Sequence, residues 1–170
     1  MRPLLILVNG PCGVGKTTFA KELQQQIPHS LLIEGDELRR WFEEHPDDRP
    51  ASAERLREVV IQIASAQINS SFAVIFDKTI AFDGVVEKIC AEVGEDSVVE
   101  LVLKIPESEI HRRIEARGGY GKSLSREKAQ QFIDYFKDYV SDAKHSITVG
   151  ATQVNPAEAV EQINDKMILT

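Results

Sequence analysis

The chain has 170 residues, of which 42% are hydrophobic and 28% are charged, and its formal net charge is −7. This length fits one domain spanning residues 1–170, and the composition excludes an intrinsically disordered chain. The negative charge opposes binding to a polynucleotide backbone and favours a small-molecule partner.

The N-terminal sequence MRPLLILVNG has only about six apolar residues before Asn9, too few for a signal peptide or a membrane span. The two cysteines, Cys12 and Cys90, form neither a C-x-x-C pair nor a metal-ligand spacing, which suits a reducing compartment. We therefore expect a cytoplasmic protein with no membrane partner, acting as a monomer or homodimer.

Short apolar runs alternate with longer stretches of helical period, which is typical of β-α units wound into a parallel sheet. Several of the runs are apolar at consecutive positions, as strands buried on both faces are. The five predicted strands are Leu4–Val8, Leu31–Glu34, Phe72–Phe76, Val98–Ile105 and Ser146–Val149.

Helices are predicted between and after these strands from apolar spacing and capping residues. Ser52 is the predicted N-cap of the first long one, and Gly118 and Gly119 are predicted to end the next. The segment RGGYGKSLS, residues 117–125, is predicted to be a mobile surface loop. The predicted helices span 52–69, 106–117, 125–142 and a last stretch that begins at Pro156.

A glycine-rich loop directly follows the first predicted strand and precedes a predicted helix. Its sequence, GPCGVGKT, matches the phosphate-loop pattern G-x-x-x-x-G-K-[ST]. Glycines let backbone N–H groups surround phosphate oxygens, and the helix start adds a positive dipole end. We expect Lys16 to contact the β- and γ-phosphates and Thr17 to hold Mg²⁺. The predicted nucleotide contacts are Gly10, Gly13, Val14, Gly15, Lys16, Thr17 and Thr18.

Two other classes of phosphate-loop protein lack support in the sequence. GTP-dependent switches resemble one another in D-x-x-G and [NT]-K-x-D motifs, and neither pattern occurs here. Mechanical ATPases usually carry a long apolar strand that ends in two acidic residues, whereas Asp77 in VIFDKT stands without a second carboxylate. The sequence therefore favours an ATP-dependent enzyme of another kind.

The segment LLIEGDELRRWF places Asp36 directly after the second predicted strand. In this position Asp36 resembles the catalytic aspartate of the small phosphate-loop kinases. That group includes gluconate and shikimate kinases, chloramphenicol phosphotransferase, the zeta-toxin kinases and the kinase domain of polynucleotide kinases. The resemblance implies that this carboxylate accepts the proton of the acceptor hydroxyl. An N-cap for the following helix is the alternative role of Asp36.

Three further charged residues are candidates for the site that the phosphate loop and Asp36 would form. Arg39 and Arg40 follow Asp36 at helical spacing, and D-x-x-R resembles polynucleotide kinases, in which the arginine helps to hold the acceptor. Solvated surface charge is the alternative for both arginines. Asp77 ends the third strand beside the phosphate site, where a carboxylate can hold a metal-bound water or seat the acceptor. A strand-end turn is its alternative role.

Arginines and glycines follow the fourth strand in HRRIEARGGYGKSLS. Arg113 and Arg117 lie one helical turn apart, and the stretch resembles the R-x-x-x-R lid of the same kinases, at about residues 112–125. The resemblance implies that these arginines stabilise charge on the transferred phosphoryl group, with Arg113 also contacting the nucleotide. A solvated arginine face is the alternative. Near the C-terminus, Thr152, Gln153 and Val154 resemble the adenine-side loop.

Together these residues predict a three-layer α/β fold with a five-stranded parallel sheet, which the resemblance orders 2-3-1-4-5, and a short helical lid. The resemblance implies a kinase that moves the γ-phosphoryl group of ATP, with Mg²⁺, to a hydroxyl of a small molecule such as a metabolite, antibiotic or nucleoside. The predicted acceptor-binding residues are Asp36, Arg39 and Arg40. A non-catalytic or regulatory nucleotide-binding module is the remaining alternative.

Overall fold

Five parallel strands form one sheet in the order β2-β3-β1-β4-β5, which confirms the predicted order. In this computed structural model the described residues are 4–42, 49–67, 72–81, 84–121, 124–150 and 155–168. The strands are β1 (Leu4–Asn9), β2 (Ser30–Glu34), β3 (Ala73–Asp77), β4 (Val98–Lys104) and β5 (His145–Gly150).

Seven helices are found among the described residues, and at least one of them lies between each pair of consecutive strands, as parallel strands require. A 3-10 turn at Glu95–Ser97 leads into β4. The helices are α1 (Lys16–Gln26), α2 (Gly35–Phe42), α3 (Arg49–Gln67), α4 (Val85–Val93), α5 (Glu107–Ala116), α6 (Arg126–Lys137) and α7 (Pro156–Ile168).

The central strand β1 is buried on both faces because its alternate side chains enter two different cores. Leu5 and Leu7 pack with residues of α2, α3 and α4 on one face of the sheet. Leu4 and Ile6 pack with residues of α1 and α7 on the other face. The result is the three-layer arrangement that the alternating pattern predicts.

The ends of three strands meet at one edge of the sheet. In the parallel register Val8 of β1 pairs with Asp77 of β3, and Asp77 also pairs with Glu34 of β2. Ligands of open α/β sheets gather at such carboxyl ends. The phosphate loop, the start of α2 and the segment after β3 therefore leave the sheet side by side.

Several predicted boundaries differ from the structure. Helix α3 begins at Arg49, so Ser52 lies within the helix and is not its N-cap. Helix α6 ends at Lys137 and not at residue 142, because the chain turns there and the hydroxyl of Tyr139 hydrogen-bonds a buried carboxylate. Ser125 caps α6 as a hydrogen-bond acceptor from the backbone N–H of Lys128, at 3.2 Å.

Helix α4 is an element that the sequence analysis missed. Its buried side chains, Val86, Ile89, Cys90 and Val93, do follow a helical period. Gly84 precedes it without a side-chain cap, so the usual start signal is missing. The predicted adenine-side residues 152–154 lie outside the described residues.

None of the helices described is long and apolar enough to cross a lipid bilayer.

Candidate active site

Three glycines of the loop between β1 and α1 adopt left-handed backbone angles. Gly10, Gly13 and Gly15 have φ values of 141°, 85° and 107°, a region that side-chain-bearing residues rarely adopt. A Cβ on Gly13 would lie 2.8 Å from Cγ1 of Ile114 in α5. The loop thus needs glycine both for its curvature and for close packing against α5.

The loop feeds directly into the N-terminus of α1. The first helical hydrogen bond runs from the N–H of Phe19 to the carbonyl of Gly15, at 3.0 Å. The amides of the preceding residues therefore belong to the helix start, where N–H groups have no partner inside the helix and attract anions. Lys16, Thr17 and Thr18 lie at this helix start, and their contacts with phosphate stay a prediction.

Lys16 is half-buried at the start of α1, and its Nζ donates to the carbonyl oxygen of Pro11 at 3.0 Å. Burial lowers the pKa of Lys16, while Cys12 and the carboxylates of Asp77 and Asp36 oppose that shift. A buried ammonium gains from an incoming anion, since the anion replaces lost hydration. Lys16 is thus placed to bind phosphate.

Thr17 and Asp77 bring two oxygen ligands together at the carboxyl end of β3. The Thr17 hydroxyl donates to Oδ2 of Asp77 at 2.5 Å, and Asp77 is only 6% exposed. Hydroxyl and carboxylate oxygens suit Mg²⁺, which takes one or two protein ligands and completes its shell with water and phosphate oxygens. The residues present therefore fit the predicted metal.

Burial of Asp77 indicates that its negative charge lowers the free energy of unfolding at neutral pH. Burial raises the pKa of Asp77, although the hydrogen bond from Thr17 and the charge of Lys16 act against this. Because the folded-state pKa exceeds the unfolded value, the ionised carboxylate opposes folding at neutral pH, and this cost disappears as the pH falls. Removing the charge should therefore not destabilise the protein.

We expect Asp77→Asn to keep or raise the thermal midpoint of the nucleotide-free protein, by about 2–4 °C if about 1 kcal/mol is recovered. We also expect a weaker response of phosphoryl transfer to Mg²⁺, which a titration of the transfer rate with Mg²⁺ measures. Asp96→Asn, at an exposed carboxylate paired with Lys144, is the matched control. A lower midpoint with an unchanged Mg²⁺ titration would show that Asp77 is a structural residue.

Asp36 lies in the first turn of α2, and its carboxylate accepts a short hydrogen bond from Nζ of Lys78. The Asp36 side chain is 71% exposed, whereas that of Lys78 is only 21% exposed. Close approach of the two segments is possible because residue 35 is glycine: a Cβ there would lie 2.7 Å from Cδ of Lys78. Asp36 therefore faces the segment that follows β3.

The two arginines of α2 were predicted to bind the acceptor. Nη1 of Arg40 donates to Oε1 of Glu37 at 2.5 Å, and both side chains are more than half exposed. The side chain of Arg39 lies outside the described part of the chain. The structure thus places Arg40 on the surface of α2, in an ion pair along its own helix.

A buried hydrogen-bond network joins the phosphate loop to the segment after β3. Oδ1 of Asn9 accepts from the N–H groups of Gly10 and Ile80, both at 2.8 Å, and Nδ2 of Asn9 donates to the Ile80 carbonyl at 3.1 Å. Nδ2 also donates to Oε1 of Glu100 at 2.6 Å, and Glu100 accepts from the Tyr139 hydroxyl at 3.0 Å. Asn9 and Glu100 are both fully buried, so they fix the relative position of the two segments.

On the other side of the phosphate loop, α5 presents Arg113. Its Nη1 donates to the carbonyl of Val14 at 2.8 Å, and its Nε donates to Glu109 at 2.8 Å. Hydrogen bonds from Arg112 and then Arg113 hold the pKa of Glu109 at about 2. Arg113 and Arg117 line a cleft of about 370 Å³ together with Val14, Gly15, Thr18, Phe19 and Glu22.

The segment after α5 is tied back to its neighbours by Tyr120. The Tyr120 hydroxyl makes a short hydrogen bond with Nδ1 of His111, and the guanidinium of Arg126 lies 5.8 Å from the ring centre. Gly118 and Gly119 have φ values of 110° and 79°, which only glycine adopts readily. The chain therefore makes a sharp turn after Arg117 and returns to α6.

Arg117, the C-cap residue of α5, and Arg112 within the helix are expected to differ in the effects of their removal. We expect Arg117→Ala to lower the rate of phosphoryl transfer far more than nucleotide affinity. Arg117 is exposed and lines the cleft, so we expect it to gain contacts only as charge develops on the transferred phosphoryl group. Single-turnover rates and ATP titrations separate the two quantities.

Arg112→Ala is the matched control for Arg117→Ala, since Arg112 is 71% exposed and is paired with Glu109. We expect it to leave both the transfer rate and nucleotide affinity nearly unchanged. Equal losses of rate and affinity in Arg117→Ala would count against a role in closing over the transferred group.

The sequence analysis did not single out Lys78, Asn9, Glu100 or Tyr139. Glu100 carried a usable signal, since a lone charged residue in the middle of the apolar run VVELVLKI must have buried polar partners. Lys78 had no such signal, because its contact with Asp36 joins residues 42 positions apart.

The fold resembles several solved structures across nearly the whole chain. A sugar kinase from Janibacter sp. HTCC2649 superposes with a TM-score of 0.71 at 16% identity, covering 98% of this chain and 95% of that one. A gluconokinase from Sinorhizobium meliloti 1021 gives 0.66 at 19% identity, covering 99% and 94%. An APS kinase from Mycobacterium tuberculosis, solved with AMPPNP and APS, gives 0.64 at 16% identity, covering 98% of each chain.

At the level of sequence, the curated proteins contain no match to this chain. A family model described as "AAA domain" does match, over residues 5–139. That match includes the phosphate loop, Asp36, Asp77 and both cleft arginines. The chain therefore belongs to the AAA domain family and has its phosphate-loop fold.

Proposed function

We propose that this protein is a kinase that transfers the γ-phosphoryl group of ATP to a hydroxyl group of a small molecule. One observation carries the proposal: the candidate base is held beside the strand end that carries the candidate metal ligands. Asp36 is hydrogen-bonded to Lys78, the residue that follows Asp77, and Asp77 accepts a hydrogen bond from Thr17 at the start of α1. A carboxylate beside the strand end of the phosphate site supports transfer to an acceptor, because transfer from a hydroxyl group needs a general base.

In the proposed reaction Asp36 is the general base. The acceptor oxygen attacks the γ-phosphorus while its proton passes to the Asp36 carboxylate, so an O–P bond forms and the bond between the γ-phosphorus and the bridging oxygen breaks. ADP leaves with the electron pair of that bond. The Asp36 side chain is 71% exposed and is therefore accessible to an incoming hydroxyl group.

The donor side is assigned to the phosphate loop and α5. Lys16 and the amides at the start of α1 hold the β- and γ-phosphates. Arg113 anchors the loop at Val14 and contacts the nucleotide, and Arg117 lies where it can neutralise charge on the moving group. Thr17 and Asp77 are the residues that would hold Mg²⁺, which supplies charge neutralisation between the phosphates when bound.

A small molecule is the proposed acceptor. The net charge of −7 disfavours a polynucleotide, and the structures that share the fold include a sugar kinase and a gluconokinase. Among the described residues that line the cleft, the positive groups are Arg113 and Arg117, both assigned to the donor. A neutral or weakly charged hydroxylated compound therefore fits best.

A screen for acceptor-stimulated ADP release tests the proposal. Hydroxylated metabolites, sugars, antibiotics and nucleosides are added singly to the protein with Mg²⁺ and ATP, and mass spectrometry identifies any phosphorylated product. Asp36→Asn serves as the inactive control, which separates catalysed transfer from contaminating activity. We expect at least one compound class to raise ADP release well above the basal rate.

The opposite result is equally informative. If ATP binds but no compound stimulates ADP release, the protein is a nucleotide-binding module and not a kinase. If stimulation occurs equally in Asp36→Asn, the protein is a kinase but Asp36 is not its base.

A further inference from the structure

We propose that Glu109 is a positioning residue that holds the Arg113 guanidinium across the phosphate loop and so orients it toward a bound nucleotide. The inference deepens the proposed function and rests on it, since it assigns a partner to a residue proposed to contact ATP. Glu109 lies in the first turn of α5, one helical turn before Arg113.

Helix α5 is fixed against the phosphate loop by apolar contacts. Ile110 and Ile114 are only 2% and 6% exposed. A Cβ on Gly13 would lie 2.8 Å from Cγ1 of Ile114 and 3.1 Å from Cγ2 of Ile110. Because such close packing resists a shift of the helix toward the loop, the backbone of α5 sets how far Arg113 reaches. Only the direction of its side chain remains to be determined.

Two hydrogen bonds determine that direction. Nη1 of Arg113 donates to the carbonyl of Val14 at 2.8 Å, and Nε donates to Oε1 of Glu109, also at 2.8 Å. Nη1 would also lie 3.1 Å from a Cβ on Gly15, the N-cap residue of α1. The guanidinium therefore crosses the loop at the helix start, where N–H groups attract anions.

The bond to Glu109 sets the plane of the guanidinium. This group carries five N–H donors in one rigid plane. A bond to Val14 alone would let the group rotate about that contact, whereas a second bond through Nε stops the rotation. No other hydrogen bond of Arg113 is found among the described residues, so three N–H groups are left for phosphate oxygens. Arg113 also lines the cleft beside the loop, where those groups can be used.

A fixed arginine binds its ligand more tightly than a mobile one. A long side chain loses rotamer freedom when a ligand immobilises it, and this entropic cost lowers affinity. Because Glu109 already restricts Arg113 in the free protein, less freedom is lost when the nucleotide binds. Glu109 also accepts hydrogen bonds from Arg112, which is 71% exposed. Arg112→Ala removes that surface pair separately.

The alternative role of Glu109 is a purely structural one, as an acidic residue in the first turn of a helix. Glu107 lies in the same turn but pairs with Lys137 of α6. Glu107→Ala therefore removes the same kind of charge without touching Arg113, which makes it the matched control. Since ion pairs at the surface contribute little to the free energy of unfolding, we expect the Glu109 variants to keep nearly the wild-type thermal midpoint.

The test measures affinity for Mg²⁺-AMPPNP by calorimetry, so it needs no acceptor. Glu109→Gln keeps an oxygen that can accept from Nε of Arg113, whereas Glu109→Asp keeps the charge but shortens the side chain by one methylene group. We expect Glu109→Ala and Glu109→Asp to weaken AMPPNP binding roughly three- to tenfold. Glu109→Gln and Glu107→Ala should keep the wild-type affinity.

The double variant Glu109→Ala/Arg113→Ala shows through which residue Glu109 acts. If Glu109 acts through Arg113, the double variant binds AMPPNP as weakly as Arg113→Ala alone. Further weakening in the double variant overturns the inference, as does wild-type affinity in either single alanine variant. Equal weakening in Glu107→Ala would show a general effect of charge at the helix start, and weak binding by Glu109→Gln with normal binding by Glu109→Asp would show that charge acts and position does not. Both results overturn the inference. Failure of the proposed function shows differently, as AMPPNP binding without transfer to any compound in the screen.

Discussion

Lys16→Ala should nearly abolish phosphoryl transfer. The ammonium sits over the phosphate loop and in the free protein bonds only a carbonyl oxygen, that of Pro11, among the hydrogen bonds described. A bound nucleotide offers it phosphate oxygens instead, and those contacts strengthen as charge develops in the transition state. We expect the rate of ADP formation to fall by at least about 10²–10³-fold, with a large loss of ATP affinity.

The same substitution should not destabilise the nucleotide-free protein. Burial lowers the pKa of Lys16, which means that the folded state disfavours the charged form, and alanine removes that cost. Thermal unfolding without nucleotide measures this separately from activity. Lys21→Ala is the matched control, because Lys21 lies on the same helix but is 55% exposed and is paired with Glu34. Undiminished turnover in Lys16→Ala would refute the assignment of the loop as the phosphate site.

Asp36→Asn should separate binding from chemistry. The amide cannot accept the acceptor proton, so we expect the transfer rate to fall by about 10²–10⁴-fold. ATP affinity should be kept, because the substitution removes a negative charge near the γ-phosphate and leaves the phosphate loop intact. Rapid-quench measurement of transfer, using an acceptor found in the screen, and an ATP titration give the two quantities.

Glu37→Gln is the control for Asp36→Asn. Glu37 is the next residue of α2 and is paired with Arg40 at the surface, so its loss should change neither transfer nor ATP affinity. If Asp36→Asn transfers phosphoryl groups at the wild-type rate, the carboxylate serves only the start of α2.

Local sequence patterns were enough to predict the sheet and the phosphate loop. Each strand is a short apolar run, and the loop needs glycines at fixed positions before a helix, so neighbouring residues carry the whole signal. The strand order came from the family resemblance, and the register of Val8, Asp77 and Glu34 agrees with it. Asp36 and Asp77 became candidates because one lies two residues after such a strand and the other ends one.

The missed features depend on contacts that the local sequence does not encode. Helix α4 lacks a capping side chain at Gly84, and the end of α6 depends on Tyr139 reaching Glu100 in β4. Lys78 has ordinary neighbours in sequence, and only the close packing of Gly35 against it brings its ammonium to Asp36. Such pairings are determined by tertiary structure.

Because β1 lies in the middle of the sheet, the residues proposed to bind ATP and the segment proposed to bind the acceptor come from different parts of the chain. The residues proposed to bind the donor lie in the phosphate loop, α1, β3 and α5, whereas residues 35–72 connect the edge strand β2 to β3. Exchange of that segment would replace the proposed base, Asp36, and leave the proposed donor residues Lys16, Thr17 and Asp77 in place. A graft of residues 35–72 from another kinase of this fold should therefore change the acceptor and retain the donor, which gives evolution and protein engineering the same route to new substrates.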